Sequence, residues 1–208
     1  MRRLDFLIYT GALLSPIKLL PMKKVKTLEE QFKNLNTTQC AIRDFAYKYG
    51  KPYDLSKTLT AIAWQESSFG LPEKLENPYE PSGGVFGNSY ITAGRRHFNL
   101  QEYWRIDELA DGTSDTKLIY IKPNAIQIDY IKERLKDDIA FSAKHAVLQL
   151  EEGIKKYLNV ALYQLDWNSV WAHYNGGTNA HKEPNALRYA AAIQEKIKIM
   201  HKVGYKGG

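Results

Sequence analysis

The 208-residue sequence contains a single cysteine, Cys40, so no internal disulfide can form and stability must come from packing, whatever the redox compartment. That leaves secretion neither supported nor excluded. No run approaches the ~20 apolar residues that a membrane-spanning helix requires. Internal repeats and low-complexity tracts are missing, which sets aside solenoid and linker architectures. The basic residues form short scattered clusters (Lys23, Lys24 and Lys26; Arg95 and Arg96; Lys155 and Lys156) without an RNP, zinc-finger or basic-zipper pattern, so no nucleic-acid partner is expected. His-Glu-x-x-His spacing is missing among the histidines. The EF-hand-like run through Asp107, Asp111 and Gly112 has Leu109 at a ligand position and no closing Glu, so no metal site is expected.

An apolar fraction of 44% with 12% aromatics excludes a disordered chain. The length suits one domain, or one domain with an extra arm. The net charge of +6 implies attraction to polyanions, a class that includes nucleic acid, anionic lipid and bacterial wall polymers. Met1-Arg2-Arg3 followed by Phe6 to Leu14 has the outline of a secretion signal, but Asp5, Lys18 and the lack of a small-x-small site before Pro21 fit a packed arm equally well. Either reading allows membrane or envelope association through the N-terminus. Nothing in the sequence sets an oligomeric state.

The pattern along the chain predicts a mainly α (α+β) fold: an N-terminal arm and helix over residues 1–50, then a helical domain over residues 51–208 with an insertion at about 95–130. Lys23 to Tyr49 reads as mainly helical and ends at Gly50-Lys51-Pro52. A second helix starts near Asp54 or Ser56, either of which is a suitable cap, and stops at about Ser68 or Phe69 before Gly70 and Pro72. Asn77 to Ser89 reads as loop passing into a turn-bound segment. Residues 95 to 123 carry mixed charge, a turn at Asp111-Gly112 and a strand candidate from Leu118 to Ile121, and so form the insertion or small β wing. A long helix is expected from about Leu135 to Tyr157, with Asp137 and Asp138 near its start. Two more follow, at about Asn168 to Tyr174 and Pro184 to His201, the last with an apolar stripe through Ala186, Tyr189, Ile193, Ile197 and Met200.

The strongest chemical clue lies on the second helix. Leu55, Leu59 and Ile62 step along one face by four and three, and the next position on that face is Glu66. Desolvation there raises a carboxyl pKa and keeps a proton available for a leaving oxygen. The alternative is a helix-terminal Glu that swings into solvent or pairs with a basic residue.

The wording around that position, Ala63-Trp64-Gln65-Glu66-Ser67-Ser68-Phe69, resembles the glutamate motif of the lytic transglycosylases and goose-type lysozymes. Eighteen residues after Glu66, Gly84-Val85-Phe86-Gly87-Asn88-Ser89-Tyr90-Ile91-Thr92-Ala93 is similar to the family's Gly-Leu-Met-Gln and Thr-Ala motif, with Gly87 in place of the Gln and Asn88 beside it as a compensating amide. Ala172-His173-Tyr174-Asn175-Gly176-Gly177 resembles Ala-x-Tyr-Asn-Ala-Gly, and Arg188 to Ile193 resembles the helix that closes the cleft. The pieces occur in the family's order, cover about residues 55–93 and 135–197, and leave residues 1–50 and the insertion outside.

The resemblance implies a lysozyme-like helical domain that acts on peptidoglycan glycan strands at the cell wall, in a bacterium or a phage. It implies Glu66 as the single catalytic acid and base and Tyr174 as the residue that positions its proton. Ser67, Ser82, Phe86, Asn88, Asn175 and Tyr189 are then the substrate-side candidates, with Asn175 bracing the motif. Without the resemblance, Tyr174 also reads as a buried ring at a helix stop and Tyr189 as a core aromatic. His173 is singled out only by its place before Tyr174. Two rival functions stand beside this one: a hydrolysing muramidase with Glu80 as a second carboxylate, Glu73 and Glu76 being solvated charges, and a non-catalytic wall-binding or phage structural protein.

Overall fold

The computed structural model describes residues 26–75, 81–159, 164–177 and 179–208. The signal-like segment from Phe6 to Leu14, together with Glu76 and Glu80, lies outside them. The described chain is mainly helical with a few small sheets, as the sequence pattern predicts.

Side-chain caps decide where the helices begin. Thr27 and Glu30 form a reciprocal capping box that opens α1 (Leu28–Lys33), and Asn36 and Gln39 form another that opens α2 (Thr37–Gly50). The expected single N-terminal helix is therefore two, broken at Asn34 to Asn36. Neither Asp54 nor Ser56 caps α3 (Ser56–Ser67): Asp54 takes a left-handed conformation that closes the 3₁₀ turn Lys51–Tyr53, and Leu55 occupies the cap position without a side-chain bond. α3 is buried on nearly every side, from Thr58 through Trp64, because α2, α7 and α9 all pack against it. Thr60, fully buried, meets its own hydrogen-bonding need by donating to the Ser56 carbonyl at 2.7 Å.

Phe32 of α1 and Ala46 of α2 are buried in the same core as Leu59, Ile62, Val170 and Ile193. Residue 50 is thus no packing boundary, and residues 28–50 are part of the main core rather than an appended arm.

The short helix α4 (Pro72–Leu75) precedes β1 (Ser82–Gly83), which pairs antiparallel with β2 (Asn88–Ser89) and leads directly into α5 (Tyr90–His97). The insertion is a two-stranded ribbon, β3 (Glu102–Glu108) against β4 (Ser114–Tyr120), in register Trp104 to Leu118 and Ile106 to Thr116. Its end flows into a helix the sequence reading did not separate, α6 (Ala125–Asp137), opened by an Asn124–Gln127 capping box. The long helix α7 (Ile139–Tyr157) begins four residues later than expected, because Asp138 caps it by accepting from the Phe141 N–H at 2.9 Å. Leu135 accordingly belongs to α6, where it forms a second core with Ala93, Ile131 and Phe141. After the strand pair β5 (Leu158–Asn159) and β6 (Gln164–Leu165), α8 (Trp167–Gly176) and α9 (Pro184–Lys202) follow close to their predicted limits.

Candidate active site

Glu66 is the penultimate residue of α3. Leu55, Leu59 and Ile62, one and more turns earlier on its face, are at most 1% exposed, whereas Glu66 is half-buried where the helix reaches the molecular surface. The helix is stopped immediately after it by left-handed residues at Ser68, Phe69 and Gly70. The Phe69 N–H donates to the Ala63 carbonyl and the Ser68 N–H to that of Trp64, each at 3.1 Å, so the left-handed turn satisfies two of the helix's last carbonyls. Left-handed geometry at Ser68 and Phe69 costs on the order of 1–3 kcal/mol each. Full burial of the Phe69 ring against Trp64 and Phe32 offsets that cost.

Four turn residues, Gly84 to Gly87, join β1 to β2, and this turn lies directly on Glu66. Val85 and Phe86 point into the core, while Gly84 and Gly87 have φ of +74° and +60°. A β-carbon on Gly87 would overlap the Glu66 carboxylate, coming 2.6 Å from its Cδ and 2.8 Å from its Cγ and closer still to Oε2. The departure from the family Gln is therefore built in: in this chain the carboxylate occupies space that any side chain at position 87 would need.

Two tyrosines face the carboxylate from the other side. Tyr174, in the last turn of α8, donates its hydroxyl proton to the Phe86 carbonyl at 2.6 Å. Its bond is to the turn that carries Gly87, and not to Glu66 as the resemblance implies. Burial, and then the Glu66 charge, push the Tyr174 pKa well above that of an ordinary tyrosine. Tyr189 of α9 stacks nearly parallel to Tyr174, with ring centroids 6.4 Å apart and planes at 14°. Its hydroxyl is enclosed without a hydrogen bond of ordinary geometry. Burial, followed by the Glu66 charge, raises its pKa as well.

Beside Gly87 and Tyr174 opens a polar pocket of about 130 Å³, walled by Asn88, Ser89, Thr92 and Ala93 from β2 and α5, by His145 and Gln149 from α7, and by Asn175 and Gly177 at the end of α8. Arg96 crosses it, with its guanidinium fixed to Glu152 at 2.6 Å and to the Gln149 side-chain oxygen at 2.6 Å. His145 is 3% exposed, and burial, aided by the Arg96 charge, lowers its pKa to about 4, so the ring is neutral at pH 7.

The predicted residues separate into those that meet the cleft and those that build it. Glu66, Tyr174, Tyr189, Asn88 and Asn175 converge. Ser67 does not contact it: its hydroxyl is wholly buried, lying 2.9 Å from the Val85 carbonyl and accepting from the Gly70 N–H at 2.8 Å, so it ties the end of α3 to the turn. Phe86 likewise presents its carbonyl to Tyr174 and hides its ring. Asn175 is exposed at the pocket mouth and makes no side-chain hydrogen bond among the described residues, so it does not brace the motif. Ser82 is half-buried opposite Ser89 in the β1–β2 ladder and does not line the pocket. His173 faces the interior between α7 and α8, against Tyr157 and Gly153, with both ring nitrogens unpartnered.

Sequence reading missed Arg96, His145 and Gln149. A signal existed for the last two: His145, Gln149 and Glu152 recur at four and three beside the apolar stripe of α7, forming a polar face. No family model, no curated protein and no solved structure matches this chain.

Proposed function

We propose that this chain is a peptidoglycan lytic transglycosylase that cleaves the β-1,4 bond between N-acetylmuramic acid and N-acetylglucosamine, with Glu66 as sole acid and base. The observation that carries the reading is the convergence of three separated sequence segments, the Gly84–Gly87 turn, Tyr174 and Tyr189, on the half-buried carboxylate at the end of α3. In this scheme Glu66 gives its proton to the glycosidic oxygen as the bond from muramic C1 breaks. The resulting carboxylate accepts the proton of the muramic 6-hydroxyl, whose oxygen closes on C1. No water is consumed, the sugar ends as a 1,6-anhydro ring, and the glutamate is reprotonated for the next turnover. Tyr174, with its own proton engaged by Phe86, keeps its oxygen lone pairs for a protonated neighbour. No cofactor takes part, and the place of action is the wall, where a chain of net charge +6 meets anionic polymers.

The test is the product. Digested peptidoglycan should release anhydro-muropeptides, lighter by one water than hydrolysed ones in mass spectrometry, and Glu66→Gln should lower release on the order of a thousandfold while keeping the fold. Reducing-end muramic acid as the only product would replace the transglycosylase by a hydrolase. Wall binding without any product from the unmodified protein would leave a binding protein.

A further inference from the structure

Glu66 has a counterpart of opposite charge that also interrupts a buried stripe. On α9 the inward positions Ala186, Tyr189, Ala190 and Ile193 lead to Lys196 and then Met200, and Lys196 is 7% exposed where the pattern calls for an apolar side chain. No other lysine or arginine among the described residues is buried. α9 packs along α3, so the two interruptions belong to one helix pair. A lysine is seldom enclosed so far unless its charge is held.

The Lys196 ammonium donates to the Gln65 side-chain oxygen at 2.7 Å and lies 5.3 Å from the centroid of the Trp64 ring, within cation–π range. Both partners are neutral, and Lys196 forms no ion pair among the described residues. Trp64 and Gln65 immediately precede Glu66 on α3, so the cation is anchored to the last turn of the helix that carries the carboxylate. Burial, then the Lys74 charge, lower the Lys196 pKa, and the Glu66 charge opposes them. The attraction is mutual, so the ammonium favours the ionised form of Glu66 in turn. The other groups on the neighbouring elements do not replace it. Lys74 of α4 is exposed and bound to Ser68 Oγ at 2.7 Å. Tyr174 and Tyr189 are uncharged at pH 7, as is His145 of α7. Arg96 of α5 is paired with Glu152, Arg43 of α2 with Asp44, and Glu29 of α1 with Lys33 and Lys202.

A lone glutamate that serves first as acid and then as base has to pass between its two forms in every turnover. Half-burial favours the acid form, and a nearby ammonium favours the carboxylate. We propose that Lys196 is a positioning residue for Glu66: its buried ammonium, fixed on Gln65 and Trp64, stabilises the ionised carboxylate and so sets the pH at which the acid form is exhausted. Its consequence for turnover rests on the reading of Glu66 as a glycan-cleaving acid, whereas the coupling between the two side chains follows from the helix pair alone.

Carbon NMR titration of the Glu66 carboxyl in the labelled full chain tests the coupling, the signal being identified by its loss in Glu66→Gln. Lys196→Met removes the charge and continues the apolar stripe, so the fold should survive. In that variant the Glu66 carboxyl should titrate about half a pH unit or more higher, a shift of the size that one neighbouring charge produces. Lys196→Arg, which keeps the charge, should return it toward the unmodified value. The pH profile of peptidoglycan release should move the same way: turnover falls as rising pH removes the acid form, and in Lys196→Met that fall should come later by the same shift. An unchanged Glu66 titration in Lys196→Met would overturn the proposal even if turnover dropped, because a loss at every pH without a shift is what a purely structural lysine gives. A shifted titration in a chain that releases nothing from peptidoglycan would leave the coupling standing and remove the transglycosylase.

Discussion

The Glu66 cleft and the β3–β4 wing are built on opposite plans. In and around the cleft, four polar side chains are held by partners far away in sequence: Tyr174 by the Phe86 carbonyl, Asn88 by Ser142, Ser67 by Val85, and the buried Lys196 by Gln65 at 2.7 Å. In the wing, the ion pairs of Arg105, Asp107, Asp115 and Lys117 stay within the ribbon, on side chains 30–54% exposed. Pairs of that kind contribute at most about 1 kcal/mol. Apolar residues invert too: Leu59 and Ile62 are fully buried, while Ile106, Tyr103 and Tyr120 are half or more exposed. A change in the cleft should therefore spread through the core, whereas a change in the wing should stay where it is made.

Acid should expose that contrast most strongly. His145 is neutral in the folded chain, with its pKa lowered to about 4 from 6.5, chiefly by burial and next by Arg96. Between those values the unfolded chain binds a proton that the folded chain refuses, so stability is full above pH 6.5 and falls as the pH is lowered toward 4. The loss from this ring is roughly 3 kcal/mol, and His173, shifted down by the same burial, adds loss of the same sign. Urea unfolding of the unmodified chain and of His145→Phe at pH 7 and pH 4 measures it. The variant should lose markedly less on acidification, and equal losses would mean that the ring is not held neutral.

A smaller effect is expected from one added methyl group. Gly87→Ala puts a β-carbon into the Glu66 carboxylate and a side chain at φ +60°, which should cost about 1–3 kcal/mol in chemical denaturation and lower turnover further by displacing the acid. Gly112, at φ +79° in the wing turn, has no atom within 4 Å of where its β-carbon would stand. Gly112→Ala should thus cost only its backbone strain and leave turnover intact. Equal losses of activity in the two variants would contradict the contact between Gly87 and Glu66.

Periodicity and punctuation made much of the fold legible. Pro184 marked the start of α9, Gly70 and Pro72 bounded the end of α3, and the stripe from Ala186 to Met200 is the buried face of α9. What stayed hidden depended on caps that compete over one or two residues. Asp138 ends α6 and starts α7 in a run where the apolar pattern continues unbroken, and Asn36 interrupts an otherwise continuous helical stretch. Of the site, Glu66 was visible because it breaks its own stripe, but Arg96 was not, since its role depends on Glu152 and Gln149, more than fifty residues away. Ser67 and Phe86 illustrate the reverse error: a motif position can matter by bracing the turn without reaching a ligand.

Tyr174→Phe separates bracing from chemistry. The ring's packing is conserved, but the Phe86 carbonyl loses its donor, worth about 1 kcal/mol of stability. Turnover should fall by more than that figure implies, because the lost hydroxyl also faces Glu66, the carboxylate proposed to react. Unchanged turnover with a folded protein by circular dichroism would restrict Tyr174 to holding the turn.

The smallest effect should come from removing the wing. Residues 102–120 form a ribbon whose hydrogen bonds stay within it apart from a 3.5 Å pair between Glu102 and Arg95 of α5, and its described side chains are absent from both buried cores. Its ends leave α5 after Phe98 and rejoin at the Asn124 cap of α6, both of which remain if the ribbon is replaced by a short Gly-Ser loop. The second core of Ala93, Ile131, Leu135 and Phe141 then stays complete. The main loss at the junction is Tyr120, whose ring lies 4.3 Å from the Arg95 guanidinium. An exposed contact of that type contributes ~0.5–1 kcal/mol, which in a chain of this length moves the midpoint by about 1–4 °C. Differential scanning calorimetry should therefore show one cooperative transition, shifted by no more than a few degrees. A broad or missing transition would show that the ribbon is coupled to the core, and the division between a long-range cleft and a self-contained wing would fail.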